Sequence, residues 1–428
     1  MAKKVHRYDK LDNTAHLFPV ITGENMSNVY RVAAVLKDEI DAELLQQALD
    51  TVLPYFDVFA VRMRKGLFWH YFETNHKTAP RVTEENAYPC RYINPFDNHD
   101  YMFRVTYYKK RINLEVFHAL TDGNGALMFL KELVYQYLRY RYPKLLEQTE
   151  DRLRIDTSLD RDDSYLRNYK QAAQKKYKTE PAVLVTGEKM PPYQLGVIHG
   201  RIELADIKAA AARYSVTINH YLVGTFIWAV YKCFGQSRQG KPIRVCVPVN
   251  LRPYFDSDTM KNFFVVVSAT FRPTKASYTF EEVLGEVAQS LREQITKDNL
   301  ENLMSYNVSN EMNPWLRAVP LAIKSFVMRC IYNSSARANT TTITNLGVVK
   351  VAEPYREYIE EFHAVLSTSK GQNIKGAICT YEDKLVVTIS SCVKETVVQK
   401  AFFRQLAQDG CHVSIETNGV YYESLSEM

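Results

Sequence analysis

A histidine and an aspartate four positions apart, with a glycine directly after the aspartate, are the residues best placed to do chemistry. They are His118, Asp122 and Gly123, within the stretch RINLEVFHALTDGNGALMFL from Arg111 to Leu130. An imidazole has a reference pKa near 6.5, so it can accept a proton at neutral pH. A lone histidine on an apolar face more often belongs to the core. Chance, however, gives this string in only roughly 2–3% of chains of this length, which favours an active site.

The residues around the motif predict a strand, a tight junction and a helix. Aliphatic residues alternate along 111–118, which places His118 on the buried face of a strand that forms a hairpin with 102–108. Gly123 and Gly125 allow the backbone to leave the strand and begin a helix. Aliphatic residues then recur at helical spacing, at Leu127, Leu130, Val134 and Leu138. A side chain at such a junction is held rigidly and stays reachable.

The sequence contains two incomplete phosphate-binding motifs and lacks a serine hydrolase motif. Gly123-Asn124-Gly125 begins a dinucleotide fingerprint, but Met128 replaces the third glycine and no regular βαβ series follows. The string 235–241 matches most of a P-loop, but Pro242 stands where a serine or threonine must bind magnesium. We interpret it as a turn. The sequence has no Gly-x-Ser-x-Gly elbow, which disfavours a serine hydrolase.

A metal site is not expected, and the cysteines indicate a reducing compartment. His118 and Asp122 are only two ligands, and no nearby His or Cys pair has the spacing that zinc or iron requires. The seven cysteines are scattered without a C-x-x-C pair and read as small buried hydrophobes. No secretory signal follows the basic N-terminus, and no apolar run reaches the length of a membrane span. We therefore expect a soluble, cytoplasmic protein.

Length, composition and charge narrow the class of protein. The chain has 428 residues, 46% hydrophobic and 24% charged, as in a soluble globular enzyme of two or three domains. A net charge of +6 is modest, and the basic residues are spread along the chain rather than clustered. This distribution suits a small anionic ligand better than a nucleic acid.

Further elements follow from periodicity and capping signals. Asp41 caps an amphipathic helix that ends at Pro54, Thr217 caps a long apolar helix, and Thr279 with Glu282 forms a capping box. Strands at 58–64 and 67–72 make a second hairpin, which we place in one mixed sheet with the 102–118 hairpin. Further strand candidates lie in the second half, at 197–204, 244–248, 263–271, 343–349, 357–367, 373–381 and 385–392.

The motif His118-x-x-x-Asp122-Gly123 resembles the active-site motif of the CoA-dependent acyltransferase superfamily. This superfamily includes chloramphenicol acetyltransferase, the condensation domains of nonribosomal peptide synthetases, wax ester synthases and bacterial alcohol acetyltransferases. Three weaker strings are similar as well: the N-terminal segment 7–18, CVPVNLRP at 246–253 with the later Asn262-Phe263-Phe264, and TITNLGV at 342–348. Together they spread the resemblance over most of the chain.

The resemblance implies an α+β fold of two chloramphenicol-acetyltransferase-like lobes. Each lobe would be a mixed β-sheet with flanking helices, and the active site would lie in a tunnel between them. Residues 147–192 lose periodicity and become strongly charged, so we expect an N-terminal lobe over 1–180 that carries the motif and a C-terminal lobe over 181–428.

The resemblance also implies residue roles. His118 would be the general base. Asp122 would be structural, as the buried partner of an arginine, with Arg252 and Arg272 both open as candidates. Backbone N–H groups near Gly123 are expected to stabilise the oxyanion. Lysines close together in the charged stretch are candidates to bind the CoA phosphates: Lys175, Lys176 and Lys178.

The implied activity is transfer of an acyl group from a thioester to a small alcohol or amine, with an oxygen acceptor favoured. Acyl-CoA would be the co-substrate, no cofactor would be bound permanently, and a carrier protein as donor stays open. Condensation domains have a second histidine just before the catalytic one, whereas this sequence has Phe117, which disfavours a peptide-synthetase role. The alternative is a catalytically idle module that binds a carrier protein or a CoA ester.

Overall fold

Two large β-sheets, each with its own apolar core, form two lobes. The structure is a computed structural model, and it describes residues 8–23, 26–145, 162–171, 180–235, 240–313 and 317–419. One core contains the strands and helices around the motif, and the other is built almost wholly from the second half of the chain. The predicted α+β architecture of two lobes, each a sheet with flanking helices, is confirmed.

The sheet of the first lobe has five strands. In spatial order they are β12 (Ile359–Leu366), β2 (Val29–Leu36), β7 (Arg111–Phe117), β6 (Phe103–Tyr108) and β5 (Thr83–Glu84). The predicted hairpin of β6 and β7 is present, with Lys109 in the left-handed region of its turn. The opposite face of β7, which carries the polar residues, is buried as well. There Glu115 pairs with Arg31 and Arg104.

The sheet of the second lobe has seven strands. In spatial order they are β10 (Phe264–Phe271), β9 (Ile243–Asn250), β11 (Thr341–Val348), β13 (Ile374–Tyr381), β14 (Lys384–Ser391), β8 (Gly196–Glu203) and β15 (Val413–Thr417). The strand β11 runs parallel to both β9 and β13, and every other pair in this sheet is antiparallel.

A third, small sheet corrects one prediction. Its strands are β1 (Tyr8–Lys10), β4 (His70–Thr74) and β3 (Val61–Lys65). The predicted hairpin is present, but its strands begin three residues later than expected and stay separate from the sheet that carries the motif. The reason lies in Phe59, which is fully buried in a turn before β3 and stacks on Phe129.

The helices of the described residues pack against these sheets. They are α1 (Phe18–Ile21), α2 (Ala42–Val52), α3 (Gly123–Arg141), α4 (Ser164–Arg167), α5 (Leu204–Arg213), α6 (Ile218–Val230), α7 (Arg252–Phe255), α8 (Phe280–Gln294), α9 (Lys297–Met312), α10 (Leu321–Ser335), α11 (Glu353–Arg356) and α12 (Val397–Gln408). The caps predicted at Asp41 and Thr217 and the capping box of Thr279 and Glu282 are confirmed. None of the helices in the described part of the chain has the length and apolarity that crossing a bilayer requires.

The strand β12 joins the two halves of the chain. It lies well beyond residue 180, yet it pairs antiparallel with β2 of the first sheet, from Ile359 opposite Leu36 to Leu366 opposite Tyr30. Its buried residues Glu361 and His363 face the second lobe, where Glu361 accepts hydrogen bonds from Arg201. The division at residue 180 stays a prediction.

Candidate active site

The motif lies at the wall of a cavity between the two lobes. The strand β7 ends at Phe117, and His118 follows it in a turn, where its backbone N–H donates to the carbonyl oxygen of Asn28. The cavity has a volume of about 240 Å3. The first lobe contributes the motif and the aromatic residues Phe18 and Tyr30, and the second lobe contributes residues of β9, β10, β11 and β13. Both lobes thus contribute residues around the histidine.

Three aromatic rings surround the imidazole of His118. Phe18 stacks on it with ring centroids 4.4 Å apart and planes 14° apart, Tyr30 meets it edge-on at 4.9 Å, and Phe264 lies at 5.8 Å. These contacts fix the plane of the ring and leave the side chain half-buried at the cavity wall. Burial accordingly lowers the pKa of His118 below its usual value of 6.5. The side chain is therefore a neutral imidazole at pH 7.

A hydrogen-bond chain selects which nitrogen of His118 holds the proton. Its Nδ1 lies 3.1 Å from Oδ1 of Asn262, and Nδ2 of Asn262 donates to Oδ2 of Asp12 at 2.9 Å. Because the amide nitrogen is committed to the carboxylate, the amide oxygen faces the imidazole and can only accept. Nδ1 therefore carries the hydrogen, which leaves the lone pair on Nε2.

Asp12 anchors this chain from the N-terminal segment. Its side chain also accepts from the backbone N–H of Ala15 at 2.8 Å and of Asn262 at 3.3 Å. Burial raises the pKa of Asp12 to about 7. Sequence reasoning associated both segments with the superfamily but gave no role to Asp12 or Asn262. They lie 250 positions apart, and the sequence carries no local signal that they meet.

Asp122 accepts five hydrogen bonds and connects the lobes. Its Oδ1 caps α3 by accepting from the backbone N–H groups of Asn124 and Gly125, each at 3.1 Å. Arg252 binds both oxygens, with Nη1 2.9 Å from Oδ2 and Nη2 3.1 Å from Oδ1. The backbone N–H of Phe263 completes the set at 2.9 Å. This bidentate pair, on side chains only 7% and 11% exposed, fixes the motif loop on the second lobe.

The other predicted site residues lie elsewhere or cannot be placed. Arg272 does not contact Asp122, because its guanidinium donates to Glu180 and to the carbonyl oxygen of Gly240. Of the two arginine candidates, the structure therefore places Arg252 beside Asp122. The lysine cluster at 175, 176 and 178 lies outside the described residues.

Gly123 and Gly125, at the start of α3, differ in how closely other atoms would approach an added Cβ. A Cβ on Gly123 would lie 2.5 Å from Cδ2 of Leu346, the end of a flexible side chain. A Cβ on Gly125 would lie 2.4 Å from the carbonyl oxygen of Met260 and 2.0 Å from Oγ1 of Thr121. The backbone of the second lobe therefore excludes a side chain at Gly125, whereas the sequence had indicated only a need for backbone freedom there.

The first turn of α3 has few free backbone donors for an oxyanion. The N–H groups of Asn124 and Gly125 donate to the side chain of Asp122, and that of Ala126 donates to its carbonyl oxygen. Of the donors expected near Gly123, its own N–H is the one left without such a contact among the described residues. The side chains of Asn124 and Thr344 also line the cavity.

Lys375 is a further cavity residue that sequence reasoning missed. It lies near the start of β13 and lines the same cavity as His118, whose pKa its charge helps to lower. A signal was present. Alternation along 373–381 places residue 375 on the face of Ala377 and Cys379, where a core side chain would be expected.

Comparisons with solved structures agree on the fold over nearly the whole chain. F. sporotrichioides TRI101 complexed with coenzyme A and T-2 matches with a TM-score of 0.61 and 12% identity, covering 96% of this chain and 99% of that one. The first condensation domain of the CDA synthetase matches at 0.60 and 10%, covering 94% and 96%. Polyketide synthase associated protein 5 from Mycobacterium tuberculosis matches at 0.57 and 12%, covering 93% and 96%.

No protein-family profile and no curated protein sequence matches the chain. The structural matches have such low identity that they establish the fold alone. The two-lobed fold that the sequence resemblance implied is thereby confirmed.

Proposed function

We propose that this chain is an acyltransferase, which moves an acyl group from a thioester to a hydroxyl or amine with His118 as general base. The observation that carries the proposal is the imidazole held through Nδ1 by Asn262, at the wall of a cavity between two lobes. Its Nε2 is the nitrogen left to take a proton. One solved structure with this fold holds both coenzyme A and a second ligand, T-2.

In the proposed reaction, Nε2 of His118 accepts the proton of the acceptor hydroxyl while its oxygen attacks the thioester carbonyl carbon. The tetrahedral intermediate collapses, the carbon–sulfur bond breaks, and the thiolate takes the proton back from the imidazolium. The protein forms no covalent intermediate. A base so placed contributes about 10²–10⁴-fold, and alignment of the two substrates contributes further.

The oxyanion of the intermediate requires hydrogen-bond donors in the cavity wall. We propose the backbone N–H of Gly123 and the side chains of Asn124 and Thr344 for this role, since all three residues line the cavity. Asp122 has no free oxygen to offer a substrate, because Arg252 and three backbone N–H groups occupy both. Its proposed role is to hold the loop.

We propose free acyl-CoA as the donor, with oxygen favoured over nitrogen as the acceptor atom. The nucleotide phosphates of CoA would reach the mouth of the cavity, where basic residues bind them in a manner that salt weakens. The cluster at Lys175, Lys176 and Lys178 stays the candidate. A carrier protein is the other possible donor, and it lacks the nucleotide.

The test measures thiol release from acetyl-CoA with panels of alcohols and amines, beside an acetylated carrier protein, across a salt series. We expect His118→Ala to lose at least about 10²-fold in kcat and to retain its fold, which circular dichroism checks. The matched control is His412→Ala, since that side chain is 90% exposed on the second lobe.

Three outcomes would contradict parts of the proposal. Equal turnover by wild type and His118→Ala ends the assignment of the base. Strong activity only with the carrier protein ends the assignment of free CoA. Tight CoA binding without turnover of any acceptor would favour the idle binding module.

A further inference from the structure

Lys375 occupies a position at which its strand otherwise contributes to the core. Ala377, Cys379 and Tyr381 follow it on the same face of β13 and are buried in the core of the first lobe. Lys375 lies two residues before Ala377 on this face, at the edge of the core, and it lines the same cavity as His118. Its side chain thus places a positive charge at the wall of the cavity between the lobes.

No carboxylate in the described part of the chain pairs with this cation. Among the described residues, the ammonium of Lys375 has no hydrogen-bond acceptor and no ion-pair partner. The titratable groups that interact with it are the thiols of Cys90, Cys246 and Cys392 and the imidazole of His118. The carboxylate that lines the same cavity, Asp122, is already bound by Arg252. Burial lowers the pKa of Lys375 to about 8, so the amine is still mostly charged at pH 7.

A half-buried ammonium without a counter-ion loses part of its hydration in the folded protein, which is unfavourable. An aliphatic side chain would suit the same strand position at no electrostatic cost. Charges kept in clefts against such a cost mark binding and catalytic sites more often than structural ones. The missing partner is an anion, and a ligand that brings one would remove the cost on binding.

We infer that Lys375 binds a carboxylate of the substrate, carried either by the acceptor or by the acyl chain, close to the thioester that His118 serves. The inference rests on the proposed acyl transfer. The phosphates of CoA are poor candidates for this contact. They lie at the far end of the pantetheine arm from the sulfur, whereas the reacting carbonyl must reach the cavity that Lys375 and His118 share.

The experiment separates the two sources of the carboxylate. The acceptor arm compares 3-hydroxybutyrate and mandelate with their methyl esters, using acetyl-CoA as donor. The donor arm compares succinyl-CoA with acetyl-CoA, using one neutral alcohol. Each arm measures KM and kcat, and the dissociation constant by calorimetry, for wild type, Lys375→Met and Lys375→Arg. Methionine keeps the length without the charge, and arginine keeps the charge.

We expect the carboxylate member of one arm to bind more tightly than its neutral counterpart. Lys375→Met should weaken that member alone by about 10–100-fold, in line with a charge-assisted hydrogen bond, and Lys375→Arg should restore part of the loss. The melting temperature of Lys375→Met should equal or exceed that of wild type, because the variant removes an uncompensated charge. If the role of Lys375 were purely structural, Lys375→Met would instead have a lower melting temperature than wild type.

Two results would overturn the inference. In the first, no carboxylate probe binds wild type more tightly than its neutral counterpart. In the second, Lys375→Met lowers kcat equally for charged and neutral substrates, as expected of a donor to the oxyanion. Failure of the proposed function is distinguishable, because the binding arm requires no turnover: an inactive protein that loses carboxylate affinity in Lys375→Met still supports the site.

Discussion

Replacing Asp122 by asparagine should destabilise the protein by about 3–5 kcal/mol, the usual cost of breaking a buried ion pair from one side. The structure explains why the near-isosteric change is so costly. One oxygen accepts from three N–H groups and the other from two. Whichever oxygen becomes the amide NH2 therefore faces at least two donors, and the guanidinium of Arg252 loses its counter-charge.

The reverse change should cost a similar amount. Arg252→Met leaves the carboxylate with three backbone donors, but it also removes the donor to the carbonyl oxygens of Thr259 and Lys261 and to Oδ1 of Asn250, so we expect a loss of about 3–5 kcal/mol. The double variant should lose less than the sum of the two single variants, by about 0.5–3 kcal/mol, because the second change removes a group that the first left unpaired.

The assay is urea unfolding followed by circular dichroism, comparing the first transition, since a two-lobed chain need not unfold in one step. His118→Ala is the site control. Glu353→Gln is the surface control, because Glu353 is 79% exposed in its pair with Arg356 and should contribute less than about 1 kcal/mol. If Asp122→Asn were no less stable than either control, the reasoning would be refuted.

Three further predictions concern the same site. Gly125→Ala should destabilise by about 1–3 kcal/mol, and Gly123→Ala by less, because only the former meets the backbone at Met260; thermal unfolding of the pair checks this order. kcat/KM should fall on acidification below pH 6.5, because burial lowers the pKa of His118 and only the neutral imidazole accepts a proton; an unchanged kcat/KM on acidification would contradict this. Asn262→Leu should lower kcat by about tenfold or more with little change in KM, because Nδ1 of His118 loses its hydrogen-bond acceptor. Nitrogen NMR of the imidazole should then show a mixture of its two neutral tautomers.

Local signals predicted the motif and its supporting elements. Alternation along 111–118, the Asp-Gly pair and the helical spacing after it depend on neighbours within a few residues, and the structure reproduces the strand and the helix. The choice of Arg252 over Arg272 was not predictable. It depends on where a residue 130 positions away comes to lie, and no periodicity reports that.

Two of the longer helices escaped prediction for different physical reasons. The helix α9 is mostly polar, and its buried apolar residues form a single row at Leu300, Met304 and Val308. The helix α10 reverses the usual pattern, because four of its large apolar residues are exposed: Ile323, Phe326, Val327 and Ile331. Burial of an apolar stripe is what a helical pattern normally reports, so neither sequence gave a clear signal.

The pairing of β12 with β2 sets a constraint on how the chain is made. At about 5–20 residues per second, a ribosome produces β12 roughly 15–60 s after β2. During that interval one edge of β2, whose sequence is VYRVAAVL, has no partner strand. An apolar strand with an open edge is a template for pairing with other chains. Nascent chains therefore need protection over this interval, and a fragment that stops before Ile359 should aggregate when expressed alone.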